Sequence, residues 1–286
     1  MMNINLYAIC LVKNEEDIIS LCLTHASHYC RIIYVLDNGS SDRTWERVKA
    51  LSARNHKIVP FERKSCQFGE GLRGYVFNKI RDRFKPGDWV MILDADEFLE
   101  KDPLPYIRTC AVRGVDLIFT LQAQFYITSI DLEHAHIRNG CDTISSFEVL
   151  PQYYLINWRE PRIFQYNPKL EWPDLDEDGN PTQIHYPRGL KRRSRNTVVN
   201  RHYQYRSLPQ MQKRLELRSN IFKCTGRFKH NRVKDYLCYI HNHRRLKLAI
   251  PGAKIRPTPF DLIRPHLIRR SKWFKRIIES RTLERN

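Results

Sequence analysis

The sequence predicts an α/β protein: a mostly parallel sheet flanked by helices, followed by a basic, mainly helical C-terminal extension. Three observations predict it. Short, continuously apolar runs alternate with amphipathic stretches through the first part of the chain. Turn and cap residues separate them. From Arg188 onward Lys and Arg dominate, as in Arg188, Lys191, Arg192, Arg193, Arg195 and Arg201. Strands apolar on both faces must be covered on both faces, as parallel strands are. Ligands of such sheets sit beyond the carboxyl ends of the strands.

The elements follow in order. Tyr7–Val12 reads as a buried strand, and Glu15–Tyr29 as a helix with Ile18, Ile19, Cys22, Leu23 and Ala26 on one face. Arg31–Leu36 is a second strand; Asn38–Asp42 is turn and cap chemistry, with a helix to about Arg54. Lys57–Phe61 is a third strand, Leu72–Phe84 a helix, Pro86-Gly87 a turn and Asp88–Leu93 a fourth strand. Val115–Gln124 is a further strand, and Ser145–Phe164 holds aromatic and β-branched runs. Leu170–Pro181 is an acidic loop, Leu208–Cys224 a helix, Pro251–Pro259 a connector and Phe260–Glu279 a basic amphipathic helix. The expected division is a catalytic domain over 1–207, with halves at about 1–100 and 101–207, and the basic extension over 208–286.

The 286 residues are 42 % hydrophobic and 11 % aromatic, enough for a sizeable core and too much for a disordered chain. With 49 Lys and Arg against 31 Asp and Glu, the net charge of +18 favours anionic partners. The eight cysteines are scattered without a CxxC pair, as expected of buried thiols in a reducing compartment. Cys238, His241 and His243 are close in sequence, but no fourth zinc ligand is evident. No apolar run approaches the roughly 20 residues that span a bilayer, and charged residues follow the first apolar run at once; the expected location is the cytoplasm.

The chemistry concentrates at three strand ends. In Ile92-Leu93-Asp94-Ala95-Asp96-Glu97-Phe98-Leu99, an apolar strand runs into two carboxylates one residue apart. At strand spacing they share a face and enter one crevice, where they repel unless a cation compensates. Mg²⁺ or Mn²⁺ suits such oxygen ligands together with substrate phosphates. A solvated strand end with acidic turn residues is the bland alternative. Asp37, opening Asp37-Asn38-Gly39-Ser40-Ser41-Asp42-Arg43-Thr44, is either an acceptor for a base or ribose or an ordinary turn residue. Lys13-Asn14-Glu15-Glu16 carries the same two readings.

As an ordered set, these motifs resemble glycosyltransferase family 2 with its GT-A fold, over roughly residues 5–100. Asp-Ala-Asp-Glu-Phe-Leu looks like the branch of small bacterial lipopolysaccharide-core and related cell-surface glycan transferases. The resemblance implies a metal-dependent, inverting transferase that moves a sugar, UDP-linked by implication, to a glycan or lipid-linked acceptor. It implies that Val12, Asn14, Glu15 and Asp37 line the nucleotide pocket, that Asp94 approaches ribose and metal, and that Asp96 holds the metal. Past residue 100, Arg162-Ile-Phe, Pro168 and Trp172 look like a stretch that normally ends in His-Glu. Asp176-Glu177 appears there instead, making Glu177, then Asp174 and Asp176, the expected proton acceptors. The segment from Asn200 through His202 to Arg206 and Ser207 resembles a motif placed before a helix. It implies His202 as a metal ligand and Arg206 at the diphosphate, with Arg162 as a further donor-binding cation.

The basic helix from Phe260 suits peripheral contact with an anionic membrane near a lipid-linked acceptor. The competing readings are a nucleic-acid-binding module, a sugar nucleotidyltransferase and a degenerate, inactive transferase. The first leaves the acidic strand ends unexplained, so nucleic acid is not an expected partner. The second lacks its glycine-rich basic loop after the first strand.

Overall fold

A computed structural model describes residues 4–194, 197–225, 236–250 and 252–263. Its strands are β1 (Leu6–Val12), β2 (Ile32–Asp37), β3 (Ile58–Arg63), β4 (Trp89–Asp94), β5 (Glu97–Leu99), β6 (Leu117–Tyr126), β7 (Tyr153–Gln165), β8 (Val198–His202) and β9 (Lys247–Leu248). The helices are α1 (Ile19–Ser27), α2 (Thr44–Ser52), α3 (Gly71–Ile80), α4 (Leu104–Val112), α5 (Ala135–Asn139) and α6 (Leu208–Thr225). One sheet runs β3-β2-β1-β4-β7-β6-β8-β5, with β9 beside β7. β1 pairs in parallel with β2 and β4, and β2 with β3. Beyond β4 the sheet is mixed: β7 is antiparallel to β4 and β6, β8 is parallel to β6, and β5 is antiparallel to β8.

The apolar runs are apolar throughout because alternate side chains feed two cores. Ala8, Cys10 and Val12 pack with Ile18, Ile19, Cys22, Leu23 and Ala26 under α1. Tyr7, Ile9 and Leu11 pack with Leu72, Val76, Phe77 and Ile80 of α3, and with Trp172. Burying such a side chain contributes about 1.5–3 kcal/mol, so a register slip is opposed on both faces at once.

Several elements differ from expectation. α1 starts at Ile19 rather than at Glu15; the residues before it form a turn, with the Ile18 and Ile19 N–H groups donating to the Glu15 carbonyl and the Glu15 and Glu16 N–H groups to the side chains of Thr44 and Asp42. Asp94 and Asp96 do not share a strand, since the chain turns at Ala95-Asp96 before β5. The stretch expected as a loop from Leu170 is a hairpin: Glu171 bridges Arg188, and Leu175 bridges Pro181. α6, the first element of the expected extension, packs with Met211 and Leu215 buried against Ile127, Ile137 and Tyr205. The described part of 236–263 is mostly irregular, with short helical turns and β9 rather than long helices. Most of the basic helix expected over Phe260–Glu279 lies outside the described residues. No helix among the described residues is long and apolar enough to cross a membrane.

Candidate active site

The loops after β1 and β2 are stitched to each other. The Asn14 N–H donates to Ser40 Oγ at 2.9 Å, and Asn14 Oδ1 accepts from the Ser41 N–H at 2.8 Å. Asn14 has φ 56°, a left-handed bend that asparagine tolerates better than most residues. Asp37 is fully buried; its Oδ1 accepts from the Ser40 N–H at 2.6 Å and its Oδ2 has no hydrogen-bond partner. It lies beneath the cleft rather than on its wall. Val12, Asn14, Glu15, Asn38, Ser41 and Asp42 form the wall at this end.

Two strings of alternating charge meet at the end of β4. The first begins at His185, whose Nδ1 lies 3.6 Å from Glu70 Oε1. Glu70 Oε2 binds Arg73, Arg73 binds Asp94 Oδ1, and Arg162 donates to Asp94 Oδ2 at 2.8 Å. Arg162 also reaches Glu97, and Glu160 at 2.7 Å. Burial works against the Asp94 charge, but Arg162 and Arg73 outweigh it and hold the carboxyl at about 2. Glu97 is more deeply enclosed, and burial pushes it up to about 7 against the pull of Arg162.

The second string joins α6 to the first loop. Arg206, with a fully buried side chain, donates to Glu15 at 2.6 Å and to Asp17 at 2.8 Å. Arg214 lies 3.1 Å from Glu15 and 3.3 Å from Asp96 Oδ2. That same oxygen is 3.5 Å from His202 Nε2, while the Gln124 amide holds His202 Nδ1 at 2.7 Å. Burial pushes Glu15 up to about 7 against Arg206 and Arg214. For Asp96, burial is outweighed by His202, Arg214 and Arg206, and the carboxyl stays well below the usual range. Burial of the His202 imidazole is likewise outweighed, and Asp96 raises it above the ordinary histidine range.

Both strings line one cleft of ≈ 1130 Å³ at the carboxyl ends of β1, β2 and β4. Ten carboxylates line it against six lysines and arginines, inside a protein of charge +18. Such a cleft repels an anionic ligand unless a cation joins it. Among the described residues no group of three or more His, Cys, Asp or Glu converges on one ion position. Asp96 with His202 fits a divalent ion better: buried Asp96 Oδ2 lacks a hydrogen bond and faces the imidazole, with Arg214 at 3.3 Å as the group an ion would displace, and phosphate oxygens supply the remaining ligands of such ions. Asp94 fits less well, because both of its oxygens are engaged by arginines.

The expected proton acceptors are not brought to this cleft. Glu177 is exposed at the hairpin tip, and Asp176 Oδ1 accepts from the N–H groups of Asp178 and Asn180 to make the turn. Asp174 Oδ1 accepts from the Leu175 N–H at 3.0 Å. The segment Asp176-Glu177-Asp178-Gly179-Asn180 is turn chemistry, with Gly179 at φ 75°. Sequence reasoning missed Glu70, Arg73, Glu97, Arg214 and His185. Glu97 stood in the quoted strand-end motif without a role, and His185 left a trace as a histidine after the aromatic stretch; the arginines meet their carboxylates across long separations in the chain.

Residues 7–137 match the family model described as glycosyl transferase family 2. No curated protein matches the chain in sequence. Among solved structures, the mannosyltransferase PcManGT from Pyrobaculum calidifontis, in complex with GDP-Man and Mn²⁺, aligns at 14 % identity and TM-score 0.37, covering 79 % of this chain and 65 % of that one. Glucosyl-3-phosphoglycerate synthase from Mycobacterium tuberculosis, in complex with Mn²⁺, UDP and phosphoglyceric acid, aligns at 19 % identity and TM-score 0.28, covering 46 % of each chain. S. aureus TarS 1–349 with UDP aligns at 13 % identity and TM-score 0.30, covering 44 % of this chain and 37 % of that one. The chain thus spans less than two thirds of the length of each.

Proposed function

We propose that this chain, whose residues 7–137 are a glycosyl transferase family 2 domain with the GT-A fold, moves a sugar from a nucleotide-sugar to a hydroxyl of a glycan or lipid-linked acceptor, with inversion and with a divalent cation. One observation carries the reading: buried Asp96, its Oδ2 without a hydrogen bond, faces His202 in an acidic cleft at the ends of parallel strands.

In this reading the nucleotide lies over the β1 and β2 loops, where Val12, Asn14, Glu15, Asn38 and Ser41 form the wall. Asp37 acts from below by fixing the turn. Asp94, kept ionised by its arginines, accepts from ribose hydroxyls. A cation held by Asp96 and His202 supplies positive charge to the departing diphosphate. Arg162 and Arg214 add fixed positive charge beside it, worth most where water is excluded. Arg206 anchors the α6 loop from within rather than touching the diphosphate. The catalytic unit then extends through α6, and the basic extension begins after it.

The test is a thermal-shift panel of UDP-glucose, UDP-N-acetylglucosamine and GDP-mannose with and without Mn²⁺. Binding at about 100-fold above Kd stabilises by about 2.7 kcal/mol. The reading expects Mn²⁺-dependent stabilisation by one nucleotide-sugar; none from any donor with either Mn²⁺ or Mg²⁺ would overturn it. Peripheral contact of the basic C-terminal segment with anionic membranes is checked by co-sedimentation with phosphatidylglycerol vesicles, and absence of binding at low salt removes that part.

A further inference from the structure

We propose that His185, oriented by Glu70, is the group that takes the proton from the acceptor hydroxyl. The inference rests on the transferase reading and names the base that reading needs.

The geometry begins with the hairpin over residues 171–188. Its base is closed by Glu171 and Arg188, with N–H to O distances of 3.3 and 2.7 Å. Trp172, nearly fully buried, donates Nε1–H to the Ile184 carbonyl at 2.8 Å, one residue before His185. The hairpin sits on the start of α3 at positions where only glycine fits. A Cβ on Gly71 would lie 2.1 Å from the Asp174 carbonyl oxygen, and one on Gly69 would lie 2.6 Å from that of Pro181. The Gly71 N–H donates to the Thr182 carbonyl at 2.9 Å. This seat holds the tip with Glu177 away from the cleft and turns His185, on the return leg, into it.

His185 has what a base requires. Its side chain is 69 % exposed, on the cleft wall it shares with Asp94 and Glu160. Glu70 Oε1 lies 3.6 Å from Nδ1, beyond hydrogen-bond length but placed to draw that nitrogen toward it and leave Nε2 for the acceptor. The charged groups around it are Glu70 just before α3, Arg73 in α3, Asp94 from β4, and Glu160 and Arg162 from β7. Partial enclosure of the ring and then Arg73 lower its pKa below the ordinary histidine value, which favours the neutral form that accepts a proton. The nearby cleft carboxylates Glu70, Glu160 and Asp94 each have an oxygen committed to an arginine.

In the step, the acceptor oxygen bonds to the anomeric carbon as its proton passes to His185 Nε2. The bond from that carbon to the diphosphate oxygen breaks, and its electron pair leaves with the diphosphate. The exposed imidazolium then returns the proton to solvent.

The test uses the full chain with Mn²⁺ and whichever sugar of the donor panel binds, and measures release of the nucleoside diphosphate with water as acceptor. H185Q should lower kcat by roughly 10²–10⁴-fold, with donor KM and the donor-induced thermal shift unchanged. The acid limb of the wild-type kcat profile should vanish in H185Q, and imidazole should restore part of the activity of H185A. E70Q, which keeps the imidazole but loosens its orientation, should fall by about 10-fold. Wild-type kcat in H185Q overturns the proposal; so does loss of donor binding in H185Q, which would make His185 a donor ligand. A wild-type chain that neither binds nor hydrolyses any donor refutes the transferase reading itself, a separate outcome.

Discussion

In the parallel half of the sheet, β3-β2-β1-β4, the groups that reach the cleft come from strand ends and the loops just beyond: Val12 and Asn14 after β1, Asn38 and Ser41 after β2, Asp94 and Asp96 at β4. In the mixed half, β7-β6-β8-β5, they come from within or beside the strands: Glu160 and Arg162 inside β7, His202 on β8, and His185 on a hairpin beyond β7. The parallel half makes its contribution by topology, since every strand points the same way and the loop that follows each opens on the same edge. The mixed half makes its contribution by individual side chains crossing the sheet. One half brings loop residues to the cleft; the other brings side chains from its strands and a hairpin.

That contrast can be broken by substitution. The largest effect is expected where the halves meet: D96A should cut Mn²⁺-dependent donor turnover by roughly 10³-fold with the fold intact, read as nucleotide release and far-UV circular dichroism. Unchanged turnover would detach the β4 turn from the chemistry. R206M strips the cation from partly buried Asp17 and one of two from Glu15, which keeps Arg214, and should cost about 3 kcal/mol in urea unfolding, because it leaves the Asp17 carboxylate uncompensated. A cost below about 1 kcal/mol would mean that α6 docks by its apolar face alone. G71A, forcing a methyl group against the Asp174 carbonyl, should cost about 1–3 kcal/mol and lower kcat by misplacing the hairpin.

The pH dependence sharpens the same comparison with smaller effects. Glu15 and Glu97 rise from 4.5 to about 7 in the folded protein, so the native state binds their protons more tightly than the unfolded chain. Their contribution to stability is therefore most favourable below 4.5 and declines as pH rises toward 7. Asp94, held at about 2 against its usual 3.8, has the opposite sign: its contribution is present above 3.8 and lost as pH falls toward 2. Urea midpoints of E97Q against wild type, taken from pH 4 to 8, should show the difference growing in favour of E97Q on the alkaline side. The smallest effect belongs to E177Q at the exposed tip, expected within about 0.5 kcal/mol of wild type and fully active.

The sequence made the parallel half legible because its information is local. Apolar runs, the Asn-Gly-Ser-Ser-Asp turn and the Asp-Ala-Asp-Glu end each announce themselves within a few residues, and all lie inside residues 7–137, which match the family model. The mixed half was legible only in part. Arg206 and Glu15 are 191 positions apart, and Arg162 and Asp94 are 68 apart, so no spacing rule joins them. Asp176 makes the hairpin turn and Glu177 stands exposed beside it; a carboxylate that makes a turn and one that takes a proton look alike in sequence, and only the hairpin pairing separates them. Asp37 shows the same ambiguity in reverse, a strand-end acid that serves its own turn.

The glycine seat under the hairpin makes the two ends of that excursion unequal as sites of change. At the base, where Gly69 and Gly71 admit no extra atoms, even a methyl group has nowhere to go. At the tip, Gly179 has no heavy atom within 4 Å of where a Cβ would stand, so residues grafted there lengthen an overhang without loosening its hinge. A new specificity element can be added at the rim while the geometry below it is left alone.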